Sequence, residues 1–127
     1  MYTYKSYIKK INSISVEEAE EIYEKMLAEI DFNDSDVKEL WDDFIKNVIE
    51  YASIRSKWLT FAREERMEKD PVRTSIHNSL ISSFNVLSRY LEKIGKDVSW
   101  RARIGEDRKR IGDFACYIVF IFALNAR

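Results

Sequence analysis

PVRTSIHNSLISSFNVLSRYLEKIG, residues 71–95, decides the fold class. Ile76, Leu80, Phe84, Leu87, Leu91 and Ile94 recur at steps of three and four, the spacing that lines side chains along one face of an α-helix. Asp70 is placed to cap such a helix, Pro71 suits its first turn, and Gly95 ends it. The spacing predicts a helix over residues 71–94. Downstream, Lys96 to Gly105 reads as a loop with one helical turn around Trp100. A last helix is expected over 106–125. Its stretch from Phe114 to Leu124 is apolar for 11 residues. A bilayer needs about 20, so this stretch reads as a core helix surrounded by its neighbours.

Upstream, Val37, Leu40, Trp41, Phe44, Val48, Tyr51, Ala52, Trp58, Leu59 and Ala62 keep one apolar face through a long helix expected over 36–68. Ser15 and Glu18 have the spacing of a capping box. Behind them Val16, Ala19, Ile22, Tyr23, Met26, Leu27 and Ile30 mark a helix over 15–31, and Asn33-Asp34-Ser35 reads as a polar turn that caps the next helix. A short helix is expected over 2–11. The reading is all-α: one domain, residues 1–127, in which four main helices and a short N-terminal one form a bundle. The composition agrees. Hydrophobic residues make up 46% and charged residues 34%, while three Gly and one Pro are too few for many tight turns. The start, Met1-Tyr-Thr-Tyr-Lys5, offers no apolar signal core, so a cytoplasmic protein without a membrane span is expected.

Net charge is −1, but it is unevenly spread. Residues 15–50 hold 13 acids and 3 bases. Arg101, Arg103, Arg108, Lys109 and Arg110 form a basic cluster near the C-terminus. With Trp100 alongside, that cluster could hold phosphates and stack a base. The acidic half and the interrupting Glu106 and Asp107 argue against nucleic acid as the partner. Complementary charged halves suit a protein partner or a second copy of the chain.

Polar residues on apolar faces carry more. At about 100° per residue, Arg73 and His77 fall on the stripe of Leu80 and Phe84, and Arg55 falls on the face of Phe44 and Tyr51. Asp107 and Asp113 fall on the inner helix. A buried cation needs a partner, so an internal cluster of Arg55, Arg73, His77, Asp107 and Asp113 is expected. Either it fixes helix register or it lines a pocket.

Arg73-Thr-Ser-Ile-His77 resembles the Arg and downstream His that helical HEPN ribonucleases carry on one helix, with three residues between them where that family has four or more. The resemblance covers five residues. It implies an enzyme that cleaves RNA by acid–base chemistry in which the His takes part.

Other chemistry finds no support. Cys116, the one cysteine, lies in the most apolar stretch and reads as a buried thiol with no basic partner nearby in sequence. One His and one Cys remove most zinc arrangements, and no Glu-x-x-His pair suits a di-iron bundle. There is no phosphate-cradling glycine loop and no nucleophile elbow. Neither cofactor nor metal is expected. The leading expectation is a non-enzymatic helical module that works by protein contact, self-association as a homodimer being one form. The alternatives are a HEPN-like ribonuclease or other hydrolase using Arg73 and His77, and nucleic-acid binding through the Arg101–Arg110 cluster.

Overall fold

The computed structural model describes residues 11–58 and 60–125, with side chains to 119. Among the described residues the chain forms five helices and no strand: α1 Val16–Ala28, α2 Ser35–Trp58, α3 Arg63–Lys93, α4 Ser99–Ile104 and α5 Arg108–Asn125. The short N-terminal helix expected over 2–11 falls, except for Ile11, outside the described residues.

Local chemistry sets most boundaries. The Ser15 hydroxyl accepts the Glu18 amide at 3.1 Å and starts α1. Only this half of the capping box forms, because the Glu18 carboxylate turns instead to Arg110. α1 ends at Ala28, earlier than the expected residue 31. Asp34 Oδ1 accepts the amides of Asp36 and Val37 and so caps α2. Asp107 does the same for α5, accepting the amides of Lys109 and Arg110. Gly95 ends the third helix region with φ 86°, a left-handed conformation that a side chain would strain.

The boundary between α2 and α3 departs furthest from expectation. The long helix does not run from 36 to 68, and Asp70-Pro71 is not a break. α2 stops at Trp58, and α3 begins at Arg63 and passes straight through Pro71. The turn uses no Gly or Pro. The Thr60 hydroxyl and amide both donate to the Lys57 carbonyl, at 2.6 and 2.9 Å, and Arg66 Nε donates to the Trp58 carbonyl at 2.9 Å. These bonds satisfy carbonyls that a helix end leaves open. Glu64 and Glu65 then complement the dipole in the first turn of α3.

Packing is heaviest where α2 lies along α3, and next where α5 lies against α2; α1 is set on α4 and α5. Phe84 sits at the centre. Its ring stacks on Phe44 at 5.2 Å and meets Trp100 and Phe114, each at 6.0 Å, so one side chain ties α2, α3, α4 and α5 together. Leu80, Leu87 and Leu91 extend this core along α3, and Ile111, Ala115 and Ile118 along α5, all buried. Gly112 lets α5 press against Tyr51: a Cβ there would lie 2.5 Å from the phenol oxygen.

Pro71 cannot donate to the Met67 carbonyl, so α3 carries a broken rung in its third turn. Pro71→Ala should therefore raise stability by roughly 1–2 kcal/mol, the ~3 kcal/mol interior penalty reduced by the chain entropy that proline removes from the unfolded state. Urea unfolding checks this. A neutral or negative result would place Pro71 at a helix start after all.

Candidate functional site

The site lies where the C-terminal half of α2, the early turns of α3 and the start of α5 converge. A cleft of about 820 Å³ opens there. α2 supplies Tyr51, Arg55 and Trp58, and α5 supplies Arg108 and Lys109. From α3 come Asp70, Arg73, Thr74, His77 and Asn78, at the i, i+3, i+4, i+7 and i+8 spacing that one helix face requires.

Beneath the cleft is Asp113, with none of its surface exposed. Its Oδ2 accepts the Ser13 amide at 3.0 Å and the Ser13 hydroxyl at 2.5 Å. Its Oδ1 lies 2.5 Å from Arg55 Nη1, whose side chain is 19% exposed. That contact balances charge without an aligned hydrogen bond to Oδ1. Burial works against the charged form of Arg55, yet Cys116 and Asp113 outweigh it and the pKa of the guanidinium rises. Removing one partner of such a buried pair costs about 3–5 kcal/mol. The same guanidinium reaches Cys116 Sγ at 3.6 Å. Cys116 is fully buried as expected, but the fold gives it a basic neighbour that its local sequence does not.

The Arg73 guanidinium carbon lies over the Trp58 ring, 4.7 Å from its centroid. One turn further on, the His77 ring packs on Tyr51 with centroids 4.7 Å apart. His77 Nε2 is 3.0 Å from the Arg108 carbonyl oxygen. A carbonyl has no proton to give, so Nε2 carries the hydrogen and the neutral ring keeps its lone pair on Nδ1. The His77 pKa is lowered, first by burial and then by the charges of Arg108, Arg73 and Arg55, against the opposing pull of the Arg108 carbonyl.

Of the five residues expected in an internal cluster, Arg55 and Asp113 pair directly, and Arg73 and His77 line the same cleft as Arg55. Asp107 does not join them: it is exposed and caps α5. The rotation count placed it on the right side of the helix but one turn too early to be inside.

The basic cluster divides. Arg101 stacks on Phe84 at 4.6 Å and donates to the Gly105 carbonyl and to Asn85. Arg110 donates to the carbonyls of Ser13, Arg103 and Ile104 and pairs with Glu18. Arg103 pairs with Glu21. Arg103 and Arg110 knit α1, α4 and α5 together, Arg101 ties α4 to α3, and all three are thereby engaged within the fold. Arg108 and Lys109 instead turn to the cleft, where Arg108 donates to Asn78 Oδ1 at 2.7 Å and Lys109 Nζ bonds to Asn12 Oδ1. Arg73, Arg108 and Lys109 have no carboxylate within ion-pair distance among the described residues, so they give the cleft an uncompensated positive face apart from Asp70. That face is what the sequence reading missed, since its members come from two helices far apart in the chain.

No group of side chains that could hold a metal ion occurs among the described residues, and no described helix is long and apolar enough to cross a membrane. Comparison of the chain with protein-family models, curated proteins and solved structures finds no match. Fold and site thus define a class only: an all-α bundle with a cationic cleft holding its one histidine.

A histidine whose folded pKa lies below its unfolded value, near 6.5, binds fewer protons when folded. Stability should therefore rise with pH up to about 6.5 and fall as the solution is acidified below it, toward the lowered folded value. His77→Gln should flatten this part of the profile. Urea unfolding at pH 5.5 and 7.5 measures it, and NMR titration of the ring gives the shift directly.

Proposed function

We propose that the chain binds a phosphate-bearing ligand in this cleft, with His77 as the acid–base group for phosphodiester cleavage. The observation that supports the reading is the convergence of Arg73, Arg108 and Lys109, none of them ion-paired among the described residues, on the cleft lined by His77. Guanidinium groups bind phosphate oxygens through paired N–H donors. A neutral imidazole accepts a proton near pH 7, and a positioned base of this kind contributes about 10²–10⁴-fold to rate. The resemblance of Arg73-Thr-Ser-Ile-His77 to the HEPN ribonuclease pair points the same way. Both side chains line one cavity, one helical turn apart.

Fluorescence anisotropy with a labelled oligonucleotide at low salt, followed by gel analysis of the products, tests this. Arg73→Ala should weaken binding at least tenfold, and raised salt should do the same to the wild type. His77→Ala should keep most of the affinity and lose turnover by at least 100-fold. Absence of binding by oligonucleotide and by inorganic phosphate alike would overturn the reading.

A protein-contact function is the second reading. It is supported by a smaller groove of about 420 Å³ between α2 and α3, with Ile54, Phe61 and Ile76 along it. Ile49 and Val72 on its rim are 54% and 53% exposed. Self-association there should give a dimer by light scattering at tens of micromolar, and Val72→Asp should return it to monomer. A monomeric wild type would remove the homodimer.

A further inference from the structure

The apolar groove of about 420 Å³ lies on the other side of the α2–α3 pair from the cationic cleft. Tyr51, Arg55 and Trp58 of α2 face the cleft, whereas Glu50, Ser53, Ile54 and Lys57 face the groove. At about 100° per residue the two sets point roughly 130° apart. Ile49 and Val72 on the groove's rim hold more than half of their surface in water.

Charge is ordered along this groove. Glu50 stands at one end. Lys57 stands at the other, about 10 Å further along α2. Lys69 of α3 joins it there, its ammonium 5.5 Å from the centre of the Phe61 ring, just past the end of α2. Glu50, Lys57 and Lys69 are exposed, and none has an ion pair among the described residues. Within one chain the carboxylate and the ammonium groups lie too far apart along the groove to meet.

A groove negative at one end and positive at the other complements itself when turned end for end. A two-fold axis through the middle of the stretch from Glu50 to Lys57, beside Ser53 and Ile54, sets two copies of α2 antiparallel. It brings Glu50 of each copy level with Lys57 and Lys69 of the other. Opposite charges then meet at both ends, as an isologous contact requires. Ser53 is small and exposed at the crossing point, where the side chains decide how closely two helices approach.

We propose that the chain forms a two-fold dimer through this groove, with Glu50 of each copy held between Lys57 and Lys69 of the other. The proposal rests on the protein-contact reading and commits it to one occupant in one orientation. Exposed ion pairs add little affinity, so burial of Ile49 and Val72 drives association and the charges select the orientation. The two cationic clefts face away from the contact and stay open.

Charge reversal tests the axis, with sedimentation velocity at tens of micromolar as the readout. Glu50→Lys makes the groove positive at both ends, and Lys57→Glu with Lys69→Glu makes it negative at both. Each variant alone should associate at least tenfold more weakly than the wild type. Their equimolar mixture should restore a dimer holding one chain of each kind, because every contact between position 50 and positions 57 and 69 is again between opposite charges. Val72→Asp placed in both chains should abolish that mixed dimer, which separates docking in the groove from general attraction of unlike charges. Circular dichroism confirms that these exposed variants fold. Variants as dimeric as the wild type, a mixture that stays monomeric, or a mixed dimer indifferent to Val72→Asp would overturn this geometry while leaving self-association in place. A monomeric wild type would remove both and leave the groove to a different protein.

Discussion

A carboxylate with no exposed surface is the constraint on which the rest of this structure depends. Asp113 stands at the entry to the most apolar stretch of the chain, and helical geometry drives it inward with Phe114 and Ala115. Inside, its charge must be met or the fold loses several kcal/mol. Arg55 meets it from α2, and Ser13 meets it with amide and hydroxyl from the segment before α1. Three distant parts of the chain are thereby held at one point. Arg55 is held at the floor of the cleft as a consequence, and Tyr51, one turn earlier, is packed against Gly112 on the same side.

The charges that look like a binding patch in the sequence are mostly fastenings. Arg110 alone bonds to three backbone carbonyls and a carboxylate, and so closes the junction of α1, α4 and α5. Arg101 is spent on Phe84 and its neighbours. The acids of α1 answer this set, with Glu18 and Glu21 paired to Arg110 and Arg103. What is left over, Arg73, Arg108 and Lys109, faces one cavity beside a neutral histidine. Function is read from that remainder rather than from net charge, because a cation already saturated by carbonyls has few donors left for a ligand.

Most of the fold was legible. Among the described residues the apolar stripes at helical spacing lie on helices, save that the one expected over 36–68 is broken after Trp58, and the caps at Ser15 and Asp34 and the stop at Gly95 fall where the residue types suggest. The break after Trp58 was not legible, because Thr60 and Arg66 close the helix end with side-chain bonds and no breaker residue marks the place. Pro71 misled for the complementary reason: proline fits a first turn best, yet α3 starts two turns earlier, at Arg63, where Arg66 fastens it to the Trp58 carbonyl, and carries Pro71 in its interior.

The sequence by itself determined the helical class, the inward face of every long helix, and that Arg55, Arg73, His77 and Asp113 lie on those faces. These follow from spacing along one chain, which a 3.6-residue turn converts directly into direction. Only the tertiary structure decided which inward residues meet. Arg55 found Asp113, Arg108 and Lys109 joined Arg73 and His77, and Asp107 stayed outside as a cap. Partners across helices depend on the relative depth and rotation of the packed elements, and no periodicity within a single segment contains that information.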